Sequence, residues 1–347
     1  MKILITGNLG YVGPLVIKRL RESYPDAILI GYDTGYFAHS LVPVDSLPEV
    51  FLDLQYFGDV RNFPEEILND IDAIVYLAAI SNDPMGHEYK DITTDVNFSS
   101  AIKIAKAGKE RGVKSFIFAS SCSVYGFAEA GLRTENSEVN PLTTYAQSKI
   151  KAEVGLKNIA DNNFIVTCLR FATACGFSPR LRLDLVLNDF VASAISSEKI
   201  EILSDGSPWR PLIHVKDMAL AIDWAINRPD DNGGPFLALN TGSNEWNYQV
   251  KDLAEAVKNI IPNVEININK SALPDKRSYQ VDFSLFDSLA PSFTPRVKLH
   301  SAIEDLCRGL KKINFSNDDF RKSNLIRLNM LKEHKVNQTL NEKLEWQ

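Results

Sequence analysis

The chain is predicted to be α/β, a doubly wound parallel sheet carrying a smaller mixed α/β domain. Short β-branched runs alternate with amphipathic stretches through the first half, the apolar runs lack polar alternation, and the rhythm breaks after Gly176. Strands and helices alternating in this way build βαβ units, and strands covered on both faces lose the in-and-out pattern of a half-buried sheet.

Taken in order, KILIT is the first strand, Val12 to Arg21 the first helix and ILIGYD, ending at Asp33, the second strand. IDAIVYLAA, Val96 to Arg111, SFIFAS, Tyr145 to Ala160 and FIVTCLR continue the alternation. Beyond Gly176, FSPRLRLDLVLND, IEILSDGSPWRPLIHV and IEININ are richer in loops and single arginines. They read as a second domain over the carboxyl ends of the strands, where open α/β sheets bind ligands. Asp217 to Ala225 and Pro235 to Asn240 read as a further helix and strand that rejoin the first domain. The expected organisation is residues 1–176 rejoined by about 211–242, a second domain from 177–210 and 243–315, and a basic amphipathic tail over 316–347. That tail reads as a docking helix or a subunit contact.

A net charge of −6 over 347 residues offers no general attraction to nucleic acid or anionic membrane, so the expected partner is a small ligand held by local arginines and backbone amides. Cys122, Cys168, Cys175 and Cys307 form no CxxC pair and have no histidine at ligand spacing; free thiols and no metal site are expected. Lys2 runs straight into an apolar strand, and the apolar run Ala73 to Ile80 is too short to span a bilayer, so a cytoplasmic location is expected.

The segment TGNLGYVG follows the first strand and opens a helix. Gly7 permits the turn, Gly10 lets backbone amides approach a pyrophosphate, and Gly13 allows close packing; a plain tight turn is the other reading. Asp33 stands at the end of the second strand, about twenty residues on, where a carboxylate accepts both ribose hydroxyls and repels a ribose phosphate, selecting NAD over NADP. In FGDVRN, Asp59 and the amide of Val60 can bracket an adenine, or Asp59 is a solvated loop residue. Tyr145 and Lys149 lie four apart on one helix face. A phenol titrates near pH 10, and a cation one turn away favours its ionised form. SFIFASSCSVYG ends a buried strand in hydroxyls at Ser120, Ser121 and Ser123, and such a serine can bond the oxygen that a tyrosine deprotonates.

The order TGNLGYVG, Asp33, GDVR, YLAA, Asn97, SSCSVYG, YAQSK and LRFATACG resembles the extended short-chain dehydrogenase/reductase superfamily, specifically its nucleotide-sugar epimerases and dehydratases, over roughly residues 1 to 310. The resemblance implies a Rossmann-type domain holding NAD, a C-terminal domain holding a nucleoside diphosphate sugar, and a homodimer built on helices near 97–111 and 145–160. It implies Tyr145 as the catalytic base and acid, Lys149 as the residue that lowers its pKa and binds the nicotinamide ribose, and Ser121 beside the sugar hydroxyl. Cofactor contacts fall on Gly7, Leu9, Gly10, Tyr11, Val12, Gly13, Asp33, Asp59, Val60, Leu77, Ala78, Ala79, Asn97 and Phe171. Substrate contacts fall on Ser81, Thr173, Asn188, Arg210 and Arg277, the two arginines suiting a diphosphate by their planar forks.

Two departures bear on the reaction. The family's dehydratases carry an Asp-Glu pair just before VYG, where this chain has Cys122 and Ser123; without those carboxyls 4,6-dehydration lacks its acid and base. Thr173 replaces an asparagine that relatives place near the substrate phosphate. The expected reaction is epimerisation at sugar carbon 4 through a transient 4-keto intermediate. A 4-ketoreductase or dehydrogenase with exchangeable cofactor is the alternative, and a non-catalytic dinucleotide-sensing or RNA-binding relative a third.

Overall fold

The computed structural model describes residues 1–127, 131–272 and 278–347. Seven parallel strands form one sheet in the order Phe236–Thr241, Ile165–Phe171, Ser115–Ser121, Ala73–Tyr76, Lys2–Thr6, Ile28–Asp33 and Leu54–Phe57. Side chains alternate across this sheet. Leu4, Ile74 and Phe116 enter one core layer with Ile104 and Leu156, whereas Ile3, Ile5, Val75 and Ile117 enter the other with Ile17, Leu20 and Ile222. Two buried faces are why the strands read as unbroken apolar runs. The first strand pairs with Ile28–Asp33 on one side and Ala73–Tyr76 on the other, so the chain reverses direction across the sheet at that point, and a crevice opens at the carboxyl ends.

Smaller elements roof this crevice. Thr173–Cys175, Trp209–His214 and Asn247–Gln249 form a three-stranded sheet, and Lys199–Ile202 pairs with Glu265–Ile268. Leu187, Phe190, Trp246, Leu253, Ile303 and Leu306 make the core beneath them. Leu132–Arg133, from the first half of the chain, pairs with Gln280–Val281. The helix expected from Val96 is broken by a π-helical turn over Asp95–Ser99 before Ser100–Glu110, and such turns redirect side chains. The two helices expected at a dimer interface, Ser100–Glu110 and Thr144–Lys157, expose Lys103, Lys106, Glu110, Gln147, Lys151 and Lys157 with a single large apolar residue, Val154. A dimer built on them meets through a polar, lysine-rich face. Among the described residues no helix is long and apolar enough to cross a membrane.

The tail docks on its own chain. Helix Arg327–Val336 buries Arg327, Met330, Leu331 and His334, and Leu331, Leu340 and Leu344 join the core of the first domain. Met330 and Leu331 are thus spent on an internal contact, as a docking helix requires, while Val336 stays exposed.

Candidate active site

One cavity of ≈ 980 Å³ runs along the crevice, the top of the range usual for a single small ligand. Gly7, Gly10, Tyr11 and Val12 line one end of it. Gly7 has φ +73°, and a Cβ there would stand 2.5 Å from the backbone nitrogen of Ala78. Glycine is required on both counts. Gly13 lies beneath the loop, where a Cβ would strike the Asn8 carbonyl oxygen. Helix Gly13–Ser23 starts with no side-chain cap and with Pro14 in its first turn; since Leu15 and Val16 both donate to the Val12 carbonyl, the main-chain N–H groups left for a ligand are those ahead of Pro14.

Asp33 accepts from the Leu9 N–H at 2.9 Å and the Gly35 N–H at 2.7 Å. Burial raises its pKa, opposed by those same two amides. Each carboxylate oxygen keeps a lone pair for a ribose hydroxyl. Leu9 thus serves Asp33 rather than the cavity. Farther along, Asp59 grips Arg61 through Nε at 2.9 Å and Nη2 at 2.5 Å, while Val60, Leu77, Ala78, Ala79 and Phe171 line the wall.

Asn97 does not line the cavity. Its Oδ1 accepts from the Ile80 N–H at 2.9 Å, and its Nδ2 donates to the Ile80 carbonyl and to Ser148 Oγ. The π-helical turn points this amide at the main chain behind the wall, so Asn97 shapes the site without touching a ligand.

Tyr145, Lys149 and Ser121 meet at the middle of the cavity. Thr143 caps their helix by accepting from the Ala146 N–H at 3.2 Å, and its hydroxyl donates to Asp83 at 2.7 Å. Lys149 is 2% exposed; it donates to the Ala119 carbonyl at 2.7 Å and stands 5.5 Å from the centre of the Tyr145 ring. Burial pushes the Tyr145 phenol up to about 12, with Ser121 and Arg182 drawing it down and Asp83 pushing it up. Burial pulls Lys149 down to about 7. Arg182 is thus a second cation bearing on the phenol, beside Lys149 over its ring.

The lysine leaves a signature in stability. Between about 7 and 10.5 the unfolded chain holds the Lys149 proton and the folded chain does not, so this group's penalty is fully present below about 7 and fades as pH rises. Lys149→Met is therefore expected to melt above wild type at pH 6.5, with the gap closing towards pH 10. Melting curves that stay parallel across that interval would contradict this.

On the substrate side, Ser81, Thr173 and Arg210 line the cavity. Arg210 donates to the Trp209 carbonyl at 2.8 Å. Asn188 does not line it: its Oδ1 accepts from the Gly176 N–H at 2.9 Å and its Nδ2 donates to the Arg182 carbonyl at 2.9 Å. The amide is saturated inside the second domain, which removes it from the substrate contacts. Arg277 lies outside the described residues.

Sequence reasoning passed over two arginines on the cavity wall, Arg182 and Arg327. Arg182 forks onto Asp184 through Nε at 2.8 Å and Nη2 at 2.9 Å, and donates Nη1 to Ser81 at 2.9 Å. Asn82 donates to Asp184 at 2.7 Å, so the ISNDPMG loop is stitched to the second domain. Ser123 Oγ is buried and unpartnered on the cavity wall. Arg327 comes from the tail. The arginine-rich RLRLD segment hinted at Arg182; nothing local marks Arg327.

The profile of the NAD dependent epimerase/dehydratase family matches residues 3–242. The chain belongs to this family. Among its relatives, UDP-glucuronic acid decarboxylase 6 of Arabidopsis thaliana is 25% identical over 314 residues, covering 87% of this chain and 87% of that protein. UDP-glucose 4-epimerase of Corynebacterium glutamicum is 25% identical, covering 75% and 80%. The solved UDP-N-acetylglucosamine 4-epimerase of Methanobrevibacter ruminantium superposes with a TM-score of 0.74 at 22% identity, covering 89% of this chain and 97% of that one. As a member of an NAD-dependent enzyme family, the chain has residues that fit this cofactor. The Gly7 cradle, the uncapped helix start and the anchored Asp33 offer a phosphate and a ribose site in sequence along one wall.

Proposed function

We propose that the protein is a nucleotide-sugar epimerase that inverts sugar carbon 4 through a transient 4-keto intermediate. The observation that carries this reading is the wall around Tyr145. Ser121 and Ser123 present hydroxyls there, while Cys122 turns inward to the Arg170 carbonyl at 3.0 Å. The strand end thus offers groups that hold a sugar oxygen and no carboxyl pair for elimination. Tyr145 takes the proton of the carbon 4 hydroxyl, and Ser121 holds that oxygen as it becomes a carbonyl. Bound NAD supplies the chemistry of accepting a hydride from carbon 4 and returning it. The ketosugar turns within the cavity between these events, and Tyr145 gives its proton back after the hydride reaches the opposite face. Arg210 supports this by offering a planar cation to the remote diphosphate, which keeps the ketosugar from leaving.

The test is to incubate the purified protein and NAD with UDP-, GDP-, CDP- and dTDP-sugars and follow carbon 4 by NMR, with the protein-bound nucleotide measured after denaturation. Inversion at carbon 4 with NAD retained near one per chain is the expected result. Net oxidation or reduction of the sugar with consumption of added cofactor would replace this reading by the single-pass dehydrogenase or ketoreductase.

A further inference from the structure

Arg327 is the first residue of the tail helix and is 1% exposed. Its guanidinium lies over the Phe37 ring, with Cζ 4.7 Å from the ring centre, and Nη2 donates to the Arg180 carbonyl at 2.8 Å. Among the described residues Nη1 is buried with no partner, and the side chain lines the same cavity as the glycine-rich loop. A buried guanidinium left short of an acceptor is costly unless something completes it.

The charges around it do not complete it. Arg182 spends its fork on Asp184, and Arg180 is paired to Glu49 at 2.7 Å. Arg180 also faces Asp33, and the carboxylates near these arginines, Asp184, Glu49 and Asp33, are each engaged by other donors. Burial and the repulsion of Arg182 and Arg180 pull Arg327 down to about 9, with Asp184 and Tyr11 the groups that favour its charge. The unpartnered Nη1 borders the cavity, and the acceptor that best completes a buried guanidinium is an anion.

Position selects which anion. Phe37, beneath the guanidinium, follows Asp33 on the loop leaving the second strand, and Thr34 and Tyr36 line the same wall. Tyr11 belongs to the phosphate loop itself. Arg327 thus sits on the dinucleotide wall. The rest of the tail is fastened beside the adenosine end: Trp346 Nε1 donates to the Thr34 carbonyl at 2.6 Å, Arg61 Nη1 to the Lys343 carbonyl at 2.7 Å, and the Tyr36 hydroxyl to the Leu344 carbonyl. We propose that Arg327, brought in by the C-terminal tail, binds the phosphates of the dinucleotide, making the tail a strap that retains the cofactor.

The test uses the full-length chain stripped of nucleotide and titrated calorimetrically with NAD, ADP and adenosine. Arg327→Gln and Arg327→Met are each expected to weaken NAD and ADP by about 10- to 100-fold, the usual span for a charge-assisted hydrogen bond, and to leave adenosine within about twofold. The salt dependence of NAD binding should flatten in both. Since the charge is uncompensated without ligand, Arg327→Met should melt no lower than wild type in the absence of nucleotide; a purely structural arginine predicts the opposite. The proposal is overturned if NAD and ADP bind either folded variant as they bind wild type, if adenosine weakens equally, if only an acidic sugar nucleotide loses affinity, or if neither variant folds. It rests on the dinucleotide site, and because binding is read without turnover, failure of the epimerase reading leaves this result interpretable.

Discussion

Tyr145→Phe will turn over the sugar nucleotide about 10²- to 10⁴-fold more slowly than wild type, the range for removing one positioned acid-base group. Binding of NAD and of the sugar nucleotide should change by less than about threefold, because the ring that packs in the site is kept. The reason for so large an effect is the environment. Burial raises the phenol to about 12, while Ser121 and Arg182 oppose that rise; the phenolate that cationic neighbours favour takes the substrate proton, and the phenol so formed is the acid that returns it. No neighbouring group can substitute: Lys149 is turned to the Ala119 carbonyl, and Asp83 is engaged by Thr143. Rates from NMR time courses at saturating substrate measure the effect, and turnover within tenfold of wild type would remove Tyr145 from the chemistry.

Glu153→Ala will destabilise the protein by about 3–5 kcal/mol, the loss found when one partner of a buried ion pair is removed. Glu153 lies one turn beyond Lys149 and takes Arg170 in a fork, with Nε at 3.0 Å from Oε1 and Nη2 at 2.7 Å from Oε2; Ser120 adds a third donor at 2.5 Å. Both side chains are nearly closed to solvent, at 5% and 9%. The truncation would strand the Arg170 guanidinium in the core between the catalytic helix and two sheet strands. Replacing both residues by methionine should recover much of the loss, since the pair is then exchanged for apolar volume. Urea titrations of the single and double variants decide it; a single variant within 1 kcal/mol of wild type would mean that the pair behaves like an exposed one.

Much of the site was legible because its residues are set by local rules. Gly7 must adopt a positive φ, Asp33 must end a strand, and Tyr145 and Lys149 must share a helix face; each requirement acts within a few residues and leaves its mark in composition and spacing. Asn97 and Asn188 show where that logic stops. Both were placed beside the site by the family resemblance, Asn97 near the cofactor and Asn188 on the substrate side. Their amides are instead filled by the Ile80 main chain and the Ser148 hydroxyl, and by the Gly176 and Arg182 main chain and the Tyr11 hydroxyl, partners that no spacing reveals. The same holds for the strand Leu132–Arg133, which finds Gln280–Val281 across the fold: two residues carry no periodicity.

By itself, then, the sequence determined the parallel sheet, the place of the crevice and the Ser121, Tyr145 and Lys149 constellation, because alternating apolar runs and i to i+4 spacing are consequences of backbone geometry. Only the tertiary structure decided which charges act on those residues. Arg182 reaches Tyr145 and Ser81 from the second domain, and Arg327 reaches the dinucleotide wall from the far end of the chain. Electrostatic and hydrogen-bonding energies depend on distance in space and on burial, and neither quantity is ordered along the sequence.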